Sequence, residues 1–251
     1  LFRSKRDGLF SRYDEEISKL LESNYAEVVP EEAMSNPGRT FYLPHHCVLS
    51  ASKPDKVRIV FDCAAICEGK SLNDRILQGP DLVNKLVSVL LRFRLHSYSI
   101  VGDIISMYNQ IVIPVSDRDA LRFLWYKDGE LVHLRSRVNI FGGVWSSAAA
   151  TYALRKTVFD HPSVDPLVKD TILNSMYVDD LTQSVKSEED VCRVIIGVPA
   201  VLSTGGFELA KFAINDKKLM EEIPPSLRAK EVHEFTHNSI GRALGVKWHI
   251  H

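Results

Sequence analysis

The residues best suited to chemistry are two adjacent carboxylates, Asp179 and Asp180. They follow a short apolar run and precede residues 181–185, which alternate between apolar and polar side chains. This pattern predicts a strand, a tight acidic turn and a second strand. Two neighbouring negative charges cost free energy unless a proton or a cation neutralises them, so the turn is a candidate site for a divalent metal. For an isolated pair an ordinary turn is the commoner explanation, because Asp is a common turn residue.

A third carboxylate elsewhere in the chain would favour the metal. Asp103 fits this requirement, because it follows the apolar segment 98–102, which is typical of a strand. An ionised aspartate among Val and Ile residues is costly unless something compensates it. Adjacent antiparallel strands would bring Asp103 to Asp179 and Asp180. Two Mg²⁺ ions roughly 3.5 to 4 Å apart need oxygen ligands of this kind.

A second candidate site consists of cations. Lys56 and Arg58 are two residues apart at the predicted strand 57–61, so their side chains share one face. They fit either a solvated edge strand or a pair of cations directed at a triphosphate. The whole chain has a net charge of −1, which argues against a dedicated nucleic-acid coat. Residues 36–100 are nevertheless basic, with nine Lys or Arg against five Asp or Glu, and could contact phosphates.

Composition limits the class of protein. With 251 residues, 45% of them apolar, the chain can form one large domain or two small ones. The longest apolar stretch, 191–202, contains Arg193 and Pro199, so we expect no transmembrane helix. The first residue is Leu1 and no apolar signal core follows it, which indicates a piece cut from a longer polypeptide.

The four cysteines have no disulfide framework, which indicates a reducing compartment. A zinc site is the alternative use of these thiols, although the Cys-x3-Cys spacing departs from the usual pattern. Its ligands would be drawn from His45, His46, Cys47, Cys63 and Cys67.

Periodicity and turn residues predict the elements that must position these groups. The glycines of loop 141–147 permit a close approach of the backbone to a bulky or flat neighbour. An ordinary loop-to-helix junction with Ser as N-cap is equally compatible with this loop. The expected helices are 14–23, 81–93 with an apolar face packed in the core, 148–158, 165–174 and 188–202. The expected strands are 57–61, 98–104, 110–115, 120–126, 131–134, 207–214 and 243–248, with a hairpin turn at 127–130.

Several motifs in a fixed order make residues 24–249 resemble the fingers and palm of a retroelement reverse transcriptase. The residues of these motifs are most similar to those of the BEL/Pao class of LTR retrotransposons. Each motif alone is weak, and the order and spacing carry the resemblance. The motifs are Val57–Asp62, Ser71–Asp74, Gly79–Leu82, Leu91–Arg94, Asp103 with Tyr108, Asp119–Trp125, Tyr177–Asp180, Gly205–Phe207 with Lys211, and Leu244–Trp248.

The resemblance implies an RNA-directed DNA polymerase, a nucleotidyltransferase that uses two Mg²⁺ ions, for which Mn²⁺ can substitute. Asp103, Asp179 and Asp180 would be the catalytic carboxylates and metal ligands, with the carbonyl of Ile104 as a further ligand. The other implied roles concern the nucleotide and the primer. Lys56 and Arg58 would contact the triphosphate, Tyr108 would exclude a 2′-hydroxyl, Gly142 and Ser146 would line the nucleotide and template, Lys211 would protonate pyrophosphate, and Leu244, Gly245, Val246, Lys247 and Trp248 would form the primer grip.

The resemblance also implies an α+β fold in which helices back an antiparallel palm sheet. The expected division is a lead-in at 1–35, fingers at 36–97 and 115–140, palm at 98–114 and 141–242, and the start of the primer-grip strand at 243–251. The thumb is expected to be absent or truncated. Expected partners are an RNA or DNA template with its primer, deoxynucleoside triphosphates and the protease, RNase H and integrase of the parent polyprotein. No membrane is expected, and an active element would be cytoplasmic and particle-associated.

Two departures from the family pattern support a second hypothesis. The chain has Ser147 and Ala148 where the family usually has Pro after the serine, and Gly102 where Ala is more common. Neither departure removes a ligand, but both are consistent with an inactive or co-opted domain that binds nucleic acid or protein without catalysis. A metal-dependent nuclease is a third hypothesis, which leaves Tyr108 and the primer-grip strand unexplained.

Overall fold

The computed structural model describes residues 9–34, 39–50, 53–127, 129–229, 240–244 and 246–249. The helices are α1 (Phe10–Glu22), α2 (Glu31–Met34), α3 (Leu86–Arg92), α4 (Ser146–Phe159), α5 (Pro166–Asn174), α6 (Glu188–Thr204) and α7 (Lys217–Glu222). The strands are β1 (Ala26–Val28), β2 (His45–Ser50), β3 (Lys53–Phe61), β4 (Tyr98–Ile104), β5 (Arg122–Lys127), β6 (Glu130–Ser136), β7 (Met176–Tyr177), β8 (Asp180–Val185), β9 (Leu209–Ile214), β10 (Ile240–Ala243) and β11 (Val246–His249).

The chain divides into two compact units, and the predicted division into fingers and palm remains a prediction. Unit 1 comprises residues 1–79 and 108–146, and unit 2 comprises residues 80–107 and 147–251. Unit 1 contains an antiparallel sheet in the order β1-β6-β5 and the antiparallel pair β2-β3. Unit 2 contains an antiparallel sheet in the order β7-β8-β4-β9 and the pair β10-β11. Together they form the predicted α+β architecture.

Helix α1 begins four residues earlier than predicted, because aromatic residues before Asp14 belong to its apolar face. The Phe10 ring stacks on Trp125 at a centroid distance of 5.5 Å, and Tyr13 is buried in the same cluster. Asp14 is therefore not a residue of the first turn. Its carboxylate instead accepts a hydrogen bond of 2.7 Å from the indole nitrogen of Trp125.

The prediction of a strand at 110–115 is wrong. The chain forms short 3₁₀ helices at Met107–Gln110 and Val115–Leu121, and Val112 makes only an isolated bridge to Val138. Pro114 has no backbone N–H to donate to a sheet. The guanidinium of Arg118 folds back and donates to the carbonyl of Ile113 at 3.0 Å, which takes an acceptor that a strand would use.

The helix predicted over 81–93 is shorter and less buried than its periodicity indicated. Helix α3 starts only at Leu86, because the backbone at Lys85 is extended. Val89 and Phe93 are buried, whereas the Leu86 side chain of the predicted apolar face is exposed. The proposed core packing therefore holds for part of this face only.

Helices α4, α5 and α6 agree with prediction within two residues at each end, and a side chain caps the N-terminus of two of them. The Asp165 side chain accepts from the backbone N–H of Leu167, and the Ser187 side chain accepts from that of Asp190. The prediction of one strand at 243–248 is wrong, since β10 and β11 form a hairpin. No helix in the described part of the chain is long and apolar enough to cross a membrane.

Candidate active site

The three predicted carboxylates lie together at one end of the four-stranded sheet. Strands β4 and β8 are antiparallel neighbours, and their register places Asp103 directly opposite Asp180. Asp179 lies in the turn between β7 and β8, and its carbonyl accepts a hydrogen bond of 2.9 Å from the backbone N–H of Ile104. The expectation that adjacent antiparallel strands unite these carboxylates is confirmed.

The turn that carries Asp179 is tight. Tyr177 pairs with Asp180, so only Val178 and Asp179 connect the two strands. Val178 has a φ of 55°, a left-handed conformation that is unfavourable for a β-branched residue. Strain of this kind costs on the order of 1 to 3 kcal/mol and is common at functional sites. The hairpin therefore holds the two aspartates at a local conformational cost.

The cluster has excess negative charge. Burial, the neighbouring Asp179 and Asp103 raise the pKa of Asp180 to about 6, although Lys211 partly offsets the increase. Burial and the charge of Asp103 also raise the pKa of Asp179 above its ordinary value. Nearby negative charge favours the protonated form of each carboxyl group. A cation at this position would relieve the same repulsion.

One cation already contacts the cluster. The Lys211 ammonium group donates to Oδ2 of Asp103 at 2.9 Å. Lys211 lies on β9, where the pairing with β4 shifts register between Val101 and Asp103. Its φ of 55° is left-handed, which a bulge in the ladder accommodates. A Cβ added at Gly102 would meet the Phe212 ring at 3.4 Å, an ordinary contact, so the alanine common in the family would fit there.

Polar residues that the sequence did not single out brace the hairpin. The amide nitrogen of Asn84 donates to the carbonyls of Leu173 and Met176 at 3.0 and 2.8 Å. The Ser175 hydroxyl donates to the side-chain oxygen of Gln183 at 2.5 Å, and the Ser184 hydroxyl donates to the carbonyl of Arg92. These bonds satisfy polar side chains of β8, whose residues 181–185 are all buried.

The residues assigned to the triphosphate and the sugar are in unit 1. Arg58 is exposed on β3 opposite Val48 and makes no ion pair within the described part of the chain. Lys56 lies two residues earlier on the same strand. Tyr108 is buried, and its ring centroid lies 4.5 Å from that of Phe141. The assigned roles of these residues remain predictions.

The side chain of Asn73, a residue of the motif Ser71–Asp74, holds the loop that contains Gly142. The Asn73 amide donates to the carbonyl of Gly142 at 3.1 Å and accepts from the backbone N–H of Val144 at 3.0 Å. A Cβ at Gly142 would lie 2.8 Å from the carbonyl oxygen of Phe61, so the predicted close backbone approach is present. Ser146 is buried and its hydroxyl donates to the carbonyl of Ile140 at 2.6 Å, so its contact with a nucleotide remains a prediction.

The predicted primer grip is only partly within the described residues. Leu244 has a φ of 49° at the turn between β10 and β11. Gly245 lies outside the described residues. Strand β11 contains the other three members of the grip, Val246, Lys247 and Trp248.

The described residues differ in how well they suit zinc and Mg²⁺. In these ranges, no group of three or more His, Cys, Asp or Glu side chains is arranged to hold a metal ion. For zinc, both ring nitrogens of His45 are engaged, with the Tyr13 hydroxyl and with the carbonyl of Leu124. Burial raises the pKa of the Cys63 thiol to about 11, which disfavours the thiolate that zinc requires. For Mg²⁺, the oxygen donors of the three aspartates are chemically suitable.

No family model and no curated protein matches the chain in sequence. Solved structures do match its fold. The foamy viral protease-reverse transcriptase in complex with an RNA/DNA hybrid is 16% identical, with a TM-score of 0.57 over 79% of this chain and 23% of that one. The native prototype foamy virus enzyme is 18% identical, with a TM-score of 0.57 over 80% of this chain and 23% of that one.

A further foamy viral protease-reverse transcriptase, solved with dsDNA, is 17% identical, with a TM-score of 0.56 over 78% of this chain and 35% of that one. At these identities the likeness concerns the fold alone. The chain has the mixed helix and antiparallel-sheet fold of reverse transcriptase fingers and palm, as predicted, and it spans roughly a quarter to a third of the length of these structures.

Proposed function

We propose that the chain is the catalytic core of an RNA-directed DNA polymerase, from a retrotransposon of the BEL/Pao type, that adds deoxynucleotides to a primer on an RNA or DNA template. The observation that carries the proposal is the position of Asp103 opposite Asp180, beside Asp179, in a fold similar to reverse transcriptases. The motif order in the sequence supports the retrotransposon class. The protease, RNase H and integrase of a parent polyprotein would complete the pathway.

The aspartate cluster is the proposed catalytic centre. Asp103 and Asp179, with the carbonyl of Ile104, would hold Mg²⁺ or Mn²⁺. The raised pKa values of Asp179 and Asp180 support this assignment, because burial and the neighbouring carboxylates make the ionised groups costly and a bound cation would lower that cost. The bound metal would lower the pKa of the primer 3′-hydroxyl and stabilise the negative charge of the triphosphate.

The remaining roles belong to the chain's own cations and to the nucleotide contacts. Lys211, whose ammonium group reaches the cluster, would deliver a proton to the leaving pyrophosphate. Arg58 and Lys56 would bind the triphosphate, because a guanidinium fork and an ammonium point charge suit phosphate oxygens. Tyr108 would exclude a 2′-hydroxyl, and the loop held by Asn73 would place Gly142 against the nucleotide.

Primer extension on an RNA template tests the proposal directly. With Mg²⁺ or Mn²⁺ present, we expect the wild-type chain to incorporate deoxynucleotides and Asp179→Asn to lose about a thousandfold in rate, since a metal ligand supplies several kcal/mol of transition-state stabilisation. Asp160→Asn is the matched control, because Asp160 makes only an exposed ion pair with Lys156. Equal incorporation by wild type and Asp179→Asn would exclude the proposed site.

A second candidate function is nucleic-acid binding without polymerisation. The Lys211 ion pair with Asp103 favours it, as does the lack of a three-ligand metal group within the described ranges. Salt-dependent binding of an RNA/DNA hybrid with no metal-dependent incorporation would support this alternative. Clear primer extension would exclude it.

A further inference from the structure

Unit 1 contains an apolar cavity that no proposed catalytic residue lines. Its volume is about 480 Å³, within the range of about 300 to 1,000 Å³ typical of small-molecule sites. The cavity lies beside a buried cluster centred on Leu72, Leu121 and Ile140. Its apolar wall consists of Phe41, Leu72, Ile76, Ile113, Leu121 and Trp145.

Two aromatic rings define the shape that the cavity accepts. Phe41 and Trp145 both line it, and both are only half-buried, so part of each ring remains in contact with solvent. Aromatic walls favour a flat aromatic partner, because offset-stacked and edge-to-face ring contacts add to the gain from apolar burial. The wall therefore suits a planar ring better than a flexible aliphatic chain.

Three charged side chains line the same cavity and give it a net positive charge. Arg39 pairs with Asp117 at 3.4 Å, and the two side chains are 72% and 54% exposed, so this ion pair is weak. Arg75 is exposed, and its guanidinium makes no hydrogen bond or ion pair with any residue in the described ranges. An anionic group on a bound ring would therefore find a free guanidinium at Arg75.

We propose that this cavity binds a flat aromatic ring that carries an anionic group, with the ring between Phe41 and Trp145 and the anion on Arg75. The chemistry suits a nucleotide base with its phosphate and an aromatic carboxylic acid alike. The inference is independent of the proposed polymerase, because its residues differ from those of the aspartate cluster and of the triphosphate site.

The test uses the fluorescent probe 8-anilino-1-naphthalenesulfonate and its neutral analogue, N-phenyl-1-naphthylamine. The wild-type chain should bind the anionic probe with a single saturable site. Arg75→Gln should weaken that binding about fivefold, since a charge-assisted contact at a partly exposed site contributes on the order of 1 kcal/mol. The same variant should leave the affinity for the neutral analogue unchanged.

A matched control and a second variant separate the cavity from general probe binding. Arg94→Gln removes an exposed arginine of unit 2 and should not change either affinity. Ala120→Leu adds volume to the cavity wall and should reduce binding of both probes. Thermal unfolding followed by circular dichroism verifies that each variant is folded.

Competition identifies the natural class of ligand. Displacement of the anionic probe by adenosine 5′-monophosphate points to a nucleotide, and displacement by indole-3-acetate points to an aromatic acid; either result supports the site. Displacement by neither compound would overturn the proposal. A folded Arg75→Gln chain that binds both probes as wild type does would overturn it as well.

Discussion

The two units contain charge clusters of opposite balance. In unit 1, the carboxylates of Glu27 and Asp119 are surrounded by four arginines. In unit 2, three aspartates share the ammonium group of Lys211 within the described residues. The first cluster has more cations than carboxylates and the second has fewer. The arginines of the first cluster are Arg118, Arg122, Arg135 and Arg137.

The carboxyl pKa values show what this difference means. Burial alone would raise the pKa of Asp119, but hydrogen bonds from Arg135 and Arg122 lower it below the ordinary value. Burial raises the pKa values of Asp179 and Asp180, and the surrounding aspartates raise them further. The arginine cluster of unit 1 thus favours ionised carboxylates. The aspartate cluster of unit 2 has excess negative charge and is suited to bind a cation.

The arginine cluster also explains how β1 is attached to its sheet. Glu27 on β1 accepts from Arg135 at 2.8 Å and from Arg118 at 3.1 and 3.2 Å. Asp119 accepts from Arg122 and Arg135 at 3.0 and 2.8 Å, and the side chains of this trio are at most 6% exposed. Removing any one of these side chains would therefore leave a buried charge without its partner.

Asp119→Ala gives the largest expected effect, because it removes the carboxylate that compensates two buried guanidinium groups. Breaking such a pair from one side costs about 3 to 5 kcal/mol. We expect the free energy of unfolding, measured by urea denaturation, to fall by this amount. Asp117→Ala is the matched control, since Asp117 is exposed and its ion pair is long. Similar losses in the two variants would show that the buried cluster contributes no special stability.

The contrast between the clusters was only partly visible in the sequence. Asp103, Asp179 and Asp180 could be predicted, because each follows a strand pattern and carries a charge that needs compensation. The arginine cluster could not, because its partners are scattered along the chain and meet only through the pairing of β1 with β6 and the 3₁₀ helix Val115–Leu121. Local periodicity does not report long-range pairing.

The contacts that hold the site in place could not be predicted from the sequence either. Asn73 and Asn84 are polar residues in irregular segments, and nothing in their neighbourhood indicates that their amides bind distant carbonyl groups. The bulge at Lys211 was equally hidden, because residues on both sides of Lys211 in β9 are apolar and buried, so no break in the sequence marks the shift in pairing. The site residues were therefore predictable by type, whereas their supports required the fold.

Asp180→Asn gives the next largest effect on the free energy of unfolding, and it is expected to stabilise the chain where Asp119→Ala destabilises it. The folded-state pKa of Asp180 is raised to about 6, so between its ordinary value and pH 6 the folded chain keeps a proton that the unfolded chain releases. The wild-type free energy of unfolding therefore falls as pH rises through this window. Asn cannot ionise, so the variant should be more stable than wild type by about 1 kcal/mol at pH 8, after allowance for the half-exposed side chain.

The measurement is urea denaturation in the presence of EDTA at pH 4 and pH 8. At pH 4 the carboxyl group of Asp180 is protonated in the folded state, so the variant should have little advantage. The surface variant Asp160→Asn should show no stabilisation at pH 8. If Asp180→Asn were no more stable than wild type at pH 8, the cluster would be less crowded with negative charge than the geometry indicates.

Lys211→Gln gives the smallest expected effect, a change in Mn²⁺ affinity when the ammonium group beside Asp103 is removed. In the proposed metal site, Lys211 and a divalent ion compete for Asp103, because the ammonium group lies 2.9 Å from its Oδ2. Removing the ammonium charge should tighten Mn²⁺ binding about threefold, measured by calorimetry, which corresponds to less than 1 kcal/mol because the pair is partly exposed. Lys218→Gln, an exposed lysine on α7, is the matched control. Weaker Mn²⁺ binding in Lys211→Gln would mean that the ammonium group supports the metal site instead of competing with it. If calorimetry detected no Mn²⁺ binding to the wild-type chain, the non-catalytic alternative would be favoured.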